Sequence, residues 1–132
     1  DCGLYKSKAK NLIATCQILV DRYHGDVPRE FDQLVELPGV GRKTANVVVS
    51  VLFGTPAIAV DTHVFRVSNR LKLGIAKTPE EMEQKLQKAI PKKDWAAAHH
   101  WLIYHGRRLC KARKPLCNEC FLNHLCPSAG KV

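Results

Sequence analysis

The 132-residue sequence is defined first by what it lacks. No apolar run is long. The longest candidate, Val47 to Phe53, is interrupted by Ser50 and falls well short of the roughly 20 residues a membrane helix needs. The opening residues, DCGLYKSKAK, contain no apolar signal core. A soluble, cytoplasmic protein without a membrane partner is therefore expected. Internal repeats and low-complexity linkers are also missing, and the length suits one or two small domains with a modest core. Acidic residues are scarce: 12 stand against 21 basic ones, for a net charge of +9. That excess points to a polyanionic partner, nucleic acid first, with a merely solvated basic surface as the alternative. The basic residues are not gathered on one amphipathic helix, which disfavours a membrane-surface role.

Strand-like alternation is almost absent, and the apolar residues recur with helical spacing. Ser7 can cap a first helix with Ala9, Leu12, Ile13, Cys16, Leu19, Val20 and Tyr23 on its apolar positions, closed by Gly25. Cys16 on that face is expected to be a core residue. Pro28 opens a short helix with Phe31, Leu34 and Val35 inward. A third helix runs from about Arg42 to Phe53 and ends at Gly54. TPAIAV, residues 55–60, reads as extended. Asp61 can cap a helix bearing Val64, Phe65, Val67 and Leu71 inward. Thr78-Pro79-Glu80-Glu81 is a capping box with proline at the first helical position. A last helix starts at Asp94 and continues to about Leu109. The fold class is all-α, with short connections.

Three stretches carry candidate chemistry. In LPGVGRKTANVVVS, residues 37–50, the turn Pro38-Gly39-Val40-Gly41 runs straight into a helix. Glycines permit positive φ and close approach of a ligand to the backbone. The unpaired N–H groups of the helix start form an anion site that suits a backbone phosphate. A lone G-x-G is also compatible with a plain turn. Lys43 lies in the first turn of that helix, where the dipole disfavours a cation, and partial burial would act the same way. Both favour the neutral, nucleophilic amine; a solvated surface lysine is the alternative. Asp61 is by default an N-cap, and alternatively a carboxylate able to take a proton or stabilise positive charge. His63, His99 and His100 read as hydrogen-bonded structural residues.

Six cysteines are present, and four crowd the C-terminus as Cys110-x6-Cys117-x2-Cys120-x5-Cys126. A disulfide scaffold would spread them. Four thiolates so close can surround one metal centre, and the spacing allows structural zinc or an iron–sulfur cluster, zinc leading on general grounds. Cys2 carries no signal. Arg107, Arg108, Lys111, Arg113 and Lys114 make the loop basic enough to clamp phosphate.

Taken together, LPGVGRKTA, AVDTHVFRVSNRL and HHWLIYHGRRLC with the four following cysteines resemble, in order, the endonuclease III family of helix–hairpin–helix DNA glycosylases. The resemblance runs from Gly3 to about Pro127. It implies a [4Fe–4S] cluster on Cys110, Cys117, Cys120 and Cys126. It implies Lys43 as the nucleophile attacking C1′ of the damaged nucleotide and Asp61 as the residue that assists it. It implies phosphate contacts at Gly39, Val40, Gly41, Arg113 and Lys114. A lysine at this position implies a bifunctional enzyme that removes an oxidised pyrimidine and cleaves the abasic strand by β-elimination through a Schiff base. The implied partner is double-stranded DNA with a damaged base or abasic site, in a bacterial, nucleoid-associated setting. Residues 1–55 would form part of a helical barrel lobe containing the hairpin, and 56–132 a cluster lobe. The family also carries a further N-terminal helical segment, without which apolar faces are expected to be exposed or covered by self-association. A DNA-binding fragment without catalysis and a zinc-stapled regulator are the other readings.

Overall fold

The structure, a computed structural model, describes residues 3–132, so Cys2 lies outside the described residues. Every regular element among the described residues is helical. The chain divides into two compact units, one ending at Thr55 and the other spanning Pro56–Val132.

The first unit holds α1 (Tyr5–Tyr23), α2 (Phe31–Val35) and α3 (Arg42–Phe53). Helix α1 begins earlier than the capping signal suggests. Ser7 lies inside the helix, and Leu4 precedes it in the left-handed conformation without a side-chain cap. Its apolar face also departs from expectation. Cys16 is exposed rather than in the core. Leu12, Ile13 and Val20 are 65%, 72% and 61% exposed, and no residue of α1 is buried. The reason is which face the small unit covers. Asn11, Ala14, Thr15 and Ile18 share one helical face and are partly buried, and the Thr15 hydroxyl donates to Pro38 O at 3.1 Å. The stripe of Ile13, Cys16 and Val20 lies beside that face and stays mostly exposed. Pro28 is buried ahead of α2, whose first residue is Phe31. Leu34 is buried, while Val35 stays partly exposed. Arginines stack on aromatic faces here, Arg42 over Phe31 and Arg29 over Phe53, each 5.0 Å from the ring centroid.

The second unit contains α4 (Thr62–Leu71), α5 (Pro79–Ala89) and α6 (Trp95–Arg108), followed by a cysteine-bearing loop with two single 3-10 turns. Its core is Ile58, Val60, Val64, Val67, Met82, Leu86, Ala98 and Leu102. The segment before α4 is buried through Ala57, Ile58, Ala59 and Val60 although it forms no strand. Buried His99 holds it through a 2.8 Å contact between Nδ1 and Ala59 O. At the start of α5, the Thr78 hydroxyl accepts from Glu81 N–H at 3.2 Å, as a capping box requires. The return bond differs: the Glu81 carboxylate takes Lys77 N–H at 2.9 Å instead of the cap residue's own N–H.

Helices α4 and α6 meet closely at Gly106. A Cβ there would stand 3.0 Å from Val67 Cγ2 and 3.1 Å from His63 Cβ. Fully buried Leu86 braces the other side of this core. Leu86→Ala is expected to destabilise the unit by about 2–5 kcal/mol, the usual cost of a core cavity, read as a lower urea midpoint at unchanged slope. Among the described residues no helix is long and apolar enough to cross a membrane.

Candidate nucleic-acid interface and metal centre

The hairpin in the first unit places its two glycines in different roles. Gly39 has φ +75°, and a Cβ on it would fall 2.6 Å from Asn11 Nδ2. Both the backbone and its neighbour therefore require glycine. Gly41 has φ −92°, an ordinary value, and a Cβ there would meet nothing within 4 Å. Only one of the two glycines thus supplies positive φ, and Gly41 leaves open space in front of the helix start. Val40 N–H closes the turn onto Leu37 O at 3.0 Å and is not turned outward. Helix α3 starts at Arg42 with no side-chain cap, so its first-turn amides receive no help from residue 41. Lys43 sits in this first turn and is exposed. The partial burial expected of it is absent.

A pair of variants separates these roles. Gly39→Ala is expected to cost roughly 1–2 kcal/mol from the left-handed backbone alone, with the Asn11 clash in addition, and to lower the melting temperature. Gly41→Ala meets no protein atom and is expected to leave the melting temperature unchanged. Calorimetry of the two side by side is the check.

Asp61 opens α4 as its N-cap. Its Oδ1 accepts from His63 N–H and Val64 N–H, both at 2.8 Å. This cap is worth about 0.5–2 kcal/mol and fixes where the carboxylate points. Lys43 belongs to the first unit and Asp61 to the second.

The four cysteines are brought together. Cys110, Cys117, Cys120 and Cys126 line one cavity in the second unit, along with Arg70, His105 and Ser128. One polar hydrogen is directed at a sulfur. Arg70 Nη1 donates to Cys110 Sγ at 3.4 Å, and His105 Nε2 lies 3.8 Å from Cys120 Sγ. Burial pushes His105 below the usual histidine range. Four soft sulfur donors facing one space, one of them accepting an N–H from Arg70, fit an iron–sulfur group. A single zinc fits less well, because its ligands must converge at about 2.3 Å. Among the described residues no three His, Cys, Asp or Glu side chains are gathered tightly enough to hold one ion.

The basic loop leaves this site between its first two cysteines. Arg113 and Lys114 are exposed, and Lys114 adopts φ +50°, uncommon for a residue with a side chain. Leu116 N–H closes the loop onto Leu109 O at 2.9 Å. Two residues that sequence reasoning passed over hold it from within. Arg66 donates to Gly106 O at 2.9 Å and to Cys110 O at 3.1 Å. Arg70 donates to Lys111 O at 2.7 Å and Ala112 O at 3.2 Å. The sequence signal was there: two arginines four apart sit on a helix whose other face, Val64 and Val67, is core.

The hairpin leading into a helix and the four-cysteine loop lie in the segments that comparison with known proteins matches. The chain belongs to the HhH-GPD superfamily of base excision DNA repair proteins, whose family model matches residues 1–92; residues 110–126 match the iron-sulfur binding domain of endonuclease III. It is 52% identical to endonuclease III of Escherichia coli strain K12, over 98% of this chain and 62% of that protein. It is 56% identical to the Rickettsia conorii endonuclease III, over 94% of this chain and 59% of that one. A solved structure of a trapped endonuclease III–DNA covalent intermediate has TM-score 0.92 and 55% identity, covering 98% of this chain and 61% of that chain. A thermostable thymine-DNA glycosylase matches with TM-score 0.83 at 27% identity, over 98% of this chain and 62% of that one. The chain thus spans about 60% of the length of these relatives.

Proposed function

We propose that this chain supplies the covalent chemistry of base excision: Lys43 as nucleophile, Asp61 as its assistant, and duplex DNA with an oxidised pyrimidine or an abasic site as substrate. The observation that carries the reading is Lys43 itself. It is an exposed amine in the first turn of a helix whose start has no side-chain cap and open space before it, a place suited to a backbone phosphate. A phosphate held there would bring the adjoining sugar within reach of the amine. A relative trapped as a covalent intermediate on DNA supports the same nucleophilic route.

The chemistry balances on these two side chains. Lys43 Nζ, as the free amine, attacks C1′ as the glycosidic bond breaks and the base leaves with the bonding pair. Asp61 stabilises the developing positive charge on the sugar and takes the proton the amine sheds. Asp61 returns that proton to O4′ as the C1′–O4′ bond breaks, and the opened sugar is left as a protonated Schiff base on Lys43. Loss of a C2′ proton then expels the 3′ phosphate, which is β-elimination. The damaged base must leave the stack first, and a weakly paired base does so most cheaply.

Gly39 and Gly41 shape the phosphate seat, and Val40 closes its turn. Cys110, Cys117, Cys120 and Cys126 would hold a [4Fe–4S] cluster. When bound, the cluster fixes the loop. Arg113 and Lys114, exposed on that loop, then meet DNA phosphates and position the duplex. The first unit belongs to the helical barrel lobe of such enzymes and the second to the cluster lobe. The proposed setting is a bacterial cytoplasm, in association with the nucleoid; the bacterial origin of the relatives supports the first part of that reading.

One observation favours a second reading, a DNA-binding protein without catalysis: α1 buries none of its residues. Borohydride reduction on a duplex with one abasic site divides the two. A covalent protein–DNA adduct supports the lyase. Salt-dependent binding without an adduct leaves the binding protein.

A further inference from the structure

Arg70 is the residue most heavily engaged with the cysteine loop, and neither nucleophile nor phosphate seat accounts for it. Its side chain reaches the start of the loop: Nη1 donates to Cys110 Sγ at 3.4 Å and to Lys111 O at 2.7 Å, and Nη2 donates to Ala112 O at 3.2 Å. Its main chain reaches the end. Arg70 O accepts from the Ser128 hydroxyl at 2.8 Å and from Cys126 Sγ at 3.8 Å. One residue in the last turn of α4 therefore holds both ends of the loop, at Cys110 through its side chain and at Ser128 through its main chain.

We infer that Arg70 is a positioning residue that couples the metal centre to the phosphate-contacting loop. It donates a hydrogen bond to the first thiolate and, with the same guanidinium, orients the backbone that presents Arg113 and Lys114. This rests on the reading of the four cysteines as cluster ligands and of the loop as a DNA contact.

A permanent cation with an N–H directed at a ligating sulfur stabilises negative charge there, so it stabilises the reduced form and raises the reduction potential. Meanwhile the planar fork satisfies two carbonyls at the root of a loop whose tip has a residue at positive φ. Without the fork, Lys111 and Ala112 are released, and two exposed cations lose their fixed direction. Arginine suits both tasks at once. Lysine can supply the charge and one donor to the sulfur, but not the fork.

The test compares Arg70→Lys and Arg70→Gln with the parent in the iron-loaded protein. Three quantities are measured: visible absorption per chain, cluster reduction potential by film voltammetry, and affinity for an undamaged duplex across a salt series. Arg70→Gln is expected to shift the potential negative and to weaken binding on the order of tenfold, with a shallower salt slope as loop contacts are lost. Arg70→Lys is expected to restore most of the potential but not the binding.

Parent values of both quantities in Arg70→Gln would overturn the inference. Loss of the cluster in both variants would overturn it too, because Arg70 would then be only a structural staple. A parent that binds no iron or no DNA would instead remove the functional reading on which the inference rests.

Discussion

Replacing Lys43 with alanine is expected to abolish the borohydride-trapped adduct and to lower strand cleavage at an abasic site on the order of ten-thousand-fold, the scale seen when a covalent nucleophile is removed. No other lysine sits in the first turn of α3 to replace it. The fold is spared, because Lys43 is exposed and neighbouring Ala45, Asn46 and Val49 carry the buried face of that helix. DNA affinity is largely spared as well. One charge among several phosphate contacts changes the salt slope by less than about one unit. Gly41→Ala should show the reverse pattern: residual trapping at saturating DNA, but weaker binding across the salt series. Parent-like cleavage by Lys43→Ala would mean that another group forms the Schiff base.

Replacing Cys117 with serine removes the visible absorption and the bound iron without unfolding the second unit. A hydroxyl is a poor ligand for iron beside three thiolates. The core does not depend on the loop. It is built from Ile58, Val60, Val64, Val67, Met82, Leu86, Ala98 and Leu102, and all four cysteines lie at intermediate depth. Far-UV circular dichroism should retain most of the helical signal. The loop, in contrast, becomes open to trypsin after Lys111 and Arg113, whereas Lys114 is shielded by Pro115. Wholesale unfolding on loss of iron would mean that the cluster, not the three-helix core, holds the unit together.

Much of this fold was legible from local chemistry. Helix α3 is bracketed by Gly41 and Gly54, and the observed bounds, Arg42–Phe53, follow that bracket. Asp61 and Thr78 both cap as their side chains require. The failures occur where distant packing decides. Ser7 carries a capping hydroxyl, yet α1 extends past it to Tyr5. Cys16 has the periodicity of a core residue, but periodicity cannot say which of two adjoining faces meets a partner. Of the candidate site, the turn, the lysine and the cysteine cluster could be placed on their elements from spacing alone. Arg66 and Arg70 could not be assigned, because their acceptors lie about 40 residues away in the chain. Nor could spacing distinguish the two hairpin glycines, whose difference lies in φ and in the neighbouring Asn11.

The bare stripe on α1 has a consequence for how the molecule behaves in bulk. Ile13, Cys16 and Val20, with Leu12 beside them, form a sticky band on a particle of net charge +9. In dilute buffer, mutual repulsion between like-charged particles keeps such bands apart. Near physiological ionic strength the repulsion reaches only about 8 Å, while apolar attraction is undiminished. Colloidal stability should therefore fall as salt rises, opposite to the behaviour of proteins that associate through complementary charges. Duplex DNA, which neutralises the same charge, would act on this balance as concentrated salt does.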